Sequence, residues 1–106
     1  MDRYGTVGAV IAAAGSSSRM GGRDKLAEPL DGIPVILRTL AAVEAVPEIR
    51  EIVVVTREDR VEEYRRLLGQ CSRLRAVVPG GSTRQESVRN GVRALSPDCT
   101  LAAIHD

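Results

Sequence analysis

The residues best suited to chemistry in this sequence form a run of glycines, serines and cations at positions 15–25, GSSSRMGGRDK. Glycine and serine let backbone N–H groups approach a phosphate chain closely, and Arg19 and Lys25 can offset its negative charge. A dinucleotide fingerprint would need glycine where Ser17 stands, and the Walker motif fails because Leu26 follows Lys25. We therefore expect a phosphate-binding loop of a third kind, with a solvated surface loop as the alternative.

A second segment, PGGSTRQESV at positions 79–88, also combines a Gly-Gly turn with polar side chains. Gly80 and Gly81 would let the backbone approach a flat base or a ribose closely. Hydroxyl and guanidinium groups for hydrogen bonds come from Ser82, Arg84 and Ser87. Such groups could distinguish one base from another.

The second segment also carries the signature of a helix start. Ser82 or Thr83 can cap the following helix, and Glu86 completes an S/T-x-x-E capping box. A cap and a ligand contact can share one turn, so the two interpretations are compatible. The residues alone leave open whether the segment does both or only caps.

The chain ends in His105 and Asp106, at the close of an apolar run. A carboxylate there suits the Mg²⁺ that accompanies nucleotide phosphates, and a frayed terminus is the alternative. His105 is the only histidine and has no cysteine or second histidine close to it in sequence. We expect a structural role for His105.

Apolar runs alternate with segments of helical periodicity, and the strands and helices that they predict must position the candidate site residues. Strands are predicted at residues 7–13, 51–56, 74–78 and 101–104. Helices are predicted from Pro34 until Pro47 stops the first, from Glu58 until Gly69 ends the second, and through Val88, Val92 and Leu95. The alternation indicates one α/β domain over residues 1–106, a three-layer sandwich with a Rossmann-like, mostly parallel sheet. Because no turn or helix follows the fourth strand, we expect that sheet to be truncated.

Strand ends then bring the candidate groups together. In an open α/β sheet, ligands lie beyond the carboxyl ends of the strands, where both glycine-containing segments and Asp106 fall.

Composition argues against other classes of protein, because a net charge of +1 gives no general attraction to nucleic acid or anionic membranes. No apolar run approaches the roughly 20 residues that span a bilayer, and Cys71 and Cys99 lack metal-type spacing. We expect a soluble cytoplasmic protein.

Three motifs, AAAGSSSRMGGRDK, PGGSTRQESVRNGV and the final HD, resemble in this order the N-terminal half of the 2-C-methyl-D-erythritol 4-phosphate cytidylyltransferase family. The resemblance covers nearly the whole chain. It implies a nucleotidyltransferase that transfers the cytidylyl group of CTP to 2-C-methyl-D-erythritol 4-phosphate and releases pyrophosphate. This reaction is a step of non-mevalonate isoprenoid biosynthesis.

The resemblance also implies roles for individual residues. Arg19 and Lys25 would be catalytic, because they would stabilise the charge that builds on the α-phosphate. Asp106 would help to hold Mg²⁺ as the cofactor. The implied CTP-binding residues are Ala13, Ala14, Gly15, Arg19, Lys25, Gly81, Ser82, Arg84 and Ser87.

Several features depart from the family pattern. Ser17 stands where the family usually has glycine, and Lys25 is followed by Leu-Ala-Glu-Pro instead of glutamine and an aromatic residue. The family's second half, which supplies the methylerythritol phosphate site and the arm that forms the homodimer, is missing. We therefore expect the chain by itself to be inactive. The alternatives are a catalytically silent nucleotide-binding fragment and a cytidylyltransferase for another sugar-alcohol phosphate, such as ribitol 5-phosphate.

Overall fold

The computed structural model describes residues 6–13, 29–30 and 33–105. Its strands are β1 (Thr6–Ala12), β2 (Pro29–Leu30), β3 (Ile33–Pro34), β4 (Ile49–Thr56), β5 (Leu74–Pro79) and β6 (Cys99–His105). Its α-helices are α1 (Val35–Glu44), α2 (Val61–Leu68) and α3 (Arg84–Ala94), and a 3₁₀ turn at Glu58–Arg60 precedes α2. None of the helices described here is long and apolar enough to cross a membrane.

The main sheet has four strands in the order β5-β4-β1-β6, and every neighbouring pair is parallel. Val10 of β1, for example, pairs with Val53 of β4 on one side and with Ile104 of β6 on the other. Parallel neighbours need crossover connections, which the intervening helices supply. The predicted parallel α/β sheet is confirmed.

Element boundaries differ in detail from the prediction. Pro34 was expected in the first turn of a helix, but it pairs with Pro29 in the short β2–β3 hairpin, and α1 begins one residue later. That expectation was wrong because a proline's fixed φ suits the edge of a small ladder as well as a helix start. Strands β4 and β6 each begin two residues earlier than predicted, at Ile49 and Cys99.

Helices cover both faces of the sheet, which gives the predicted three layers. Alternate residues of β4 point to opposite faces, so Ile52 and Val54 join one apolar cluster while Val53 and Val55 join the other. The first cluster takes its helical side chains from α1 and α2: Ile36, Leu40, Val43, Val61, Tyr64 and Leu68. The second cluster lies under α3 and the residues after it, with Leu95 as its buried member from that side.

α3 lies close to the sheet because Gly91 faces it without a side chain. A Cβ at Gly91 would overlap Cγ1 of Val10 and lie 2.8 Å from Cγ2 of Val55. The backbone of α3 therefore rests directly on β1 and β4. This close packing fixes the position of the first turn of α3 relative to the ends of the strands.

Candidate functional site

The carboxyl edge of the sheet brings the ends of β1, β4 and β5 to one level. The N–H of Ala13 donates to the carbonyl of Val55 at 2.7 Å, and the N–H of Gly80 donates to the carbonyl of Thr56 at 2.8 Å. Ala13 is buried, with 2% of its surface exposed. Of the predicted CTP contacts, the structure thus places Ala13 and the Gly80-Gly81 turn at the same edge, as the topology requires.

Residues 79–83, which we call the base loop, connect β5 to α3 and are held by side chains of that helix. Ser87 Oγ accepts from the N–H of Gly81 at 3.1 Å, and Asn90 Nδ2 donates to the carbonyl of Pro79 at 3.1 Å. Glu86 Oε1 accepts from both the N–H and the hydroxyl of Ser82, each at 2.7 Å. Three side chains of α3 therefore anchor the loop.

Thr83 is the N-cap of α3, which decides between the two predicted caps. Its Oγ1 accepts from the N–H of Glu86 at 3.1 Å, and its backbone is extended. The carboxylate of Glu86 reaches back beyond the cap to Ser82. Hydrogen bonds from Ser82, most of all from its hydroxyl and next from its N–H, hold the pKa of the Glu86 carboxyl below its ordinary value. They do so because they stabilise the ionised form.

Several groups predicted to contact a nucleotide are also used within the fold. The hydroxyl of Ser82 donates to Glu86, while Ser87 is only 4% exposed and accepts from Gly81. A Cβ at Gly81 would overlap Cβ of Glu86 and lie 2.7 Å from its Oε1, so Gly81 makes room for Glu86. Arg84 is exposed in the first turn of α3.

Peptide geometry determines which backbone groups the base loop presents on the side that faces away from α3. A trans peptide places its C=O opposite its N–H. Because the N–H groups of Gly81 and Ser82 point at side chains of α3, the carbonyls of Gly80 and Gly81 point away from those side chains. The loop therefore offers hydrogen-bond acceptors, which suit a ligand that carries an N–H donor.

Five residues of the predicted site lie outside the described residues: Ala14, Gly15, Arg19, Lys25 and Asp106. His105, one residue before Asp106, pairs with Ile11 at the end of β6, and its side chain is exposed. Within residues 6–13, 29–30 and 33–105, His, Cys, Asp and Glu form no group of three or more that could hold a metal ion. A magnesium site at Asp106 stays a prediction.

Sequence reasoning missed two residues at this edge. Asn90 lies four positions after Glu86, on the same face of α3, so the helical spacing could have indicated that it contacts the base loop. Thr56 ends β4 fully buried, and its Oγ1 has no hydrogen-bond partner within the described residues. No sequence signal marks Thr56, because a threonine at the end of an apolar strand is ordinary.

A cavity of about 270 Å³ lies elsewhere, at the C-terminal ends of α1 and α2. Crossover helices run antiparallel to their strands, so this cavity is at the opposite end of the sheet from the base loop. Glu44 and Cys71 line it, and burial together with the hydrogen bond to Glu44 raises the pKa of the Cys71 thiol. The thiol is therefore in its neutral form, and the cavity is not part of the candidate site.

The family model for IspD, 2-C-methyl-D-erythritol 4-phosphate cytidylyltransferase, matches residues 7–106. The chain belongs to this family. The predicted resemblance is thereby confirmed, and the parallel sheet and the base loop are those of an IspD family member.

Individual relatives agree with the assignment to the IspD family. The chain is 43% identical over 102 residues to the 2-C-methyl-D-erythritol 4-phosphate cytidylyltransferase of Dehalococcoides mccartyi, and 42% identical over 106 residues to that of Pelotomaculum thermopropionicum. In both cases the match covers 94% of this chain and 44% of the relative. The chain thus spans less than half the length of these curated relatives.

A solved structure shows the same fold. The crystal structure of 4-diphosphocytidyl-2C-methyl-D-erythritol synthase from Anaerococcus prevotii superposes with a TM-score of 0.80 at 33% identity. The match covers 96% of this chain and 43% of that structure. The four-stranded sheet and its three helices therefore correspond to part of a larger IspD fold.

Proposed function

We propose that this chain forms the CTP-binding part of a 2-C-methyl-D-erythritol 4-phosphate cytidylyltransferase. The reaction transfers the cytidylyl group of CTP to 2-C-methyl-D-erythritol 4-phosphate and releases pyrophosphate. The observation that carries the proposal is the family match over residues 7–106, with relatives that bear this enzyme name. The geometry of the carboxyl edge supports the nucleotide-binding role.

Acceptors on the base loop favour a base that carries an amino group, which supports cytosine over uracil. The carbonyls of Gly80 and Gly81 point away from α3, because the neighbouring N–H groups are bound by Ser87 and Glu86. Cytosine carries an amino group at N4, whereas uracil carries an acceptor at the same position. A carbonyl that meets N4 accepts a hydrogen bond from cytosine and repels uracil.

The triphosphate would be held by residues 15–25, which follow β1. Backbone N–H groups of Gly15 and its neighbours would bind phosphate oxygens, and Arg19 and Lys25 would stabilise the negative charge that develops at the α-phosphorus. The attacking group is a phosphate oxygen that is already ionised. The transfer therefore needs neither a general base nor a covalent intermediate.

Magnesium would be held at the same edge. Strand β6 ends at His105, which pairs with Ile11 near the carboxyl end of β1, and Asp106 follows directly. One carboxylate together with substrate phosphate oxygens is a usual donor set for Mg²⁺, so the chemistry of Asp106 fits. When bound, Mg²⁺ would neutralise phosphate charge.

We propose that the methylerythritol phosphate site and the homodimer contacts lie in the portion of the relatives that the match leaves out, which is more than half of their length. The 106-residue chain alone would then bind nucleotide weakly and show no turnover. We place the protein in the cytoplasm.

Titration calorimetry with Mg²⁺ tests the nucleotide assignment. CTP should bind this chain more tightly than UTP, GTP or ATP, and Lys25→Ala should weaken CTP binding about tenfold to a hundredfold, because a charged hydrogen-bond partner is lost. Arg50→Ala, which removes an exposed cation of β4, is the control and should leave affinity unchanged. Tighter binding of GTP than of CTP would contradict the assignment to cytidine. Pyrophosphate release from CTP and 2-C-methyl-D-erythritol 4-phosphate by this chain alone would show that the rest of the enzyme is not needed.

A further inference from the structure

Glu86 is not among the proposed nucleotide contacts, yet it touches two residues that are. Its Oε1 accepts from the N–H and from the hydroxyl of Ser82, both at 2.7 Å. Its Cβ occupies the space that a side chain at Gly81 would take. Glu86 therefore fixes the peptide that joins Gly81 to Ser82 from the side of α3.

The carboxylate of Glu86 makes more hydrogen bonds than a helix cap requires. Thr83 already caps α3, because its Oγ1 accepts from the N–H of Glu86 at 3.1 Å. The carboxylate accepts from the backbone N–H of Thr83, the N-cap, and also from the N–H and the hydroxyl of Ser82, which precedes the cap and lies outside the helix. A capping box alone would need only the bond to the N-cap N–H. Glu86 therefore acts on the base loop as well as on the start of the helix.

We propose that Glu86 is a positioning residue for base selection, because it orients the Gly81–Ser82 peptide so that the Gly81 carbonyl faces the N4 amino group of cytosine. This inference rests on the proposed function. Ser87 holds the preceding peptide through the N–H of Gly81, so two adjacent residues of α3 set two adjacent carbonyls. Glu86 itself does not touch the nucleotide.

The consequence is that loss of the carboxylate changes the preference between bases more than it changes affinity for the triphosphate. Without Glu86, the Gly81–Ser82 peptide can rotate and present its N–H outward. An N–H at that position favours the O4 acceptor of uracil over the amino group of cytosine. The preference for CTP over UTP should then decrease.

The test measures dissociation constants for CTP and UTP with Mg²⁺ on the wild-type chain and on Glu86→Ala, Glu86→Gln and Gln85→Ala. Glu86→Ala should lower the CTP-to-UTP preference about tenfold, the effect of losing the hydrogen bonds that fix one acceptor. Glu86→Gln should keep most of the preference, because the amide oxygen can still accept from Ser82. Gln85→Ala removes an exposed neighbouring side chain of α3 and should change nothing.

An NMR signature accompanies the binding data. The amide proton of Ser82 should shift upfield in Glu86→Ala and much less in Glu86→Gln, because only the alanine variant loses the acceptor. If Glu86→Ala weakens CTP and UTP binding equally, Glu86 has only a structural role and the inference is overturned. If the wild-type chain shows no preference for CTP, the proposed function fails, and the inference fails with it.

Discussion

Strands β4 and β6 both pair in parallel with β1, and both are built largely from apolar residues. They differ in burial. Ile52 and the three valines at positions 53–55 of β4 are completely buried, whereas in β6 Leu101 is 55% exposed and Ile104 is 40% exposed. Two strands that both pair with β1 therefore lie in different environments, β4 between two neighbours and β6 at the end of the described sheet.

The difference comes from the layers that cover the strands. β4 has α1 and α2 on one face and α3 on the other, whereas within the described residues the apolar side chains of β6 belong to neither main cluster apart from Cys99 at its start. An apolar run thus predicts that a strand forms and pairs, but its burial depends on which helices cross its faces. Three measurements test this comparison.

The largest effect should come from one matched substitution made in both strands. Ile52→Ala in β4 should lower the free energy of unfolding by about 2–5 kcal/mol, because it leaves a cavity in a fully packed core. Ile104→Ala in β6 should lower it by about 1 kcal/mol or less, since its side chain is already partly in water. Urea unfolding followed by circular dichroism measures both changes.

Equal losses for the two isoleucine variants would show that β6 is covered in solution. Repeating the unfolding at several protein concentrations distinguishes burial of β6 by a second copy of the chain from burial by other residues of the same chain. A midpoint that rises with concentration indicates self-association, whereas a constant midpoint indicates cover from within the chain.

The next largest effect should come from the close contact between α3 and β4, which buries one face of that strand. Gly91→Ala should lower the free energy of unfolding by about 1–2 kcal/mol, because overlap with Val10 and Val55 outweighs the better helix propensity of alanine. The same change in a Val10→Ala background should be less costly, because the overlap is reduced. A stabilising Gly91→Ala would mean that α3 packs further from β4 than described here.

The smallest effect concerns the carboxyl end of β4. Thr56 is fully buried, and its Oγ1 has no partner among the residues that the structure describes. Thr56→Val should raise the free energy of unfolding by about 1 kcal/mol, because it replaces an unsatisfied hydroxyl with a methyl group of the same shape. The equivalent change at the exposed Thr100 of β6 should bring no such gain, because an exposed hydroxyl is in contact with water.

Thr56→Ser is the control, because it keeps the hydroxyl and removes a buried methyl group. It should lower the free energy of unfolding by about 1 kcal/mol. Destabilisation by Thr56→Val would instead show that the hydroxyl of Thr56 has a hydrogen-bond partner. Urea unfolding under the conditions used for the isoleucine variants measures all three changes.

Much of the fold followed from the sequence because its signals are local. Continuous apolar runs marked β1 and β4, helical spacing marked α2 and α3, and the alternation of the two required parallel pairing. The short β2–β3 hairpin was missed, because pairs of two residues carry no periodicity. Pro34 was misplaced because the fixed φ of proline suits the edge of a ladder as well as a helix start.

Less of the candidate site could be predicted. The Gly-Gly turn follows from residue types, which also indicate a cap at Ser82 or Thr83. The structure decides for Thr83 and places both features at the carboxyl edge. The internal use of Ser82 and Ser87 did not follow, because a hydroxyl in a sequence does not reveal its partner. Asn90 gained its contact with Pro79 only through the geometry of the helix.

The sequence by itself determined the parallel α/β fold and membership of the IspD family, because periodicity, turn chemistry and motif order are all written along the chain. Only the tertiary structure decided which apolar strand is buried and which groups of the base loop face α3. Those outcomes depend on contacts between residues far apart in sequence, such as Gly91 with Val10, which no local pattern encodes.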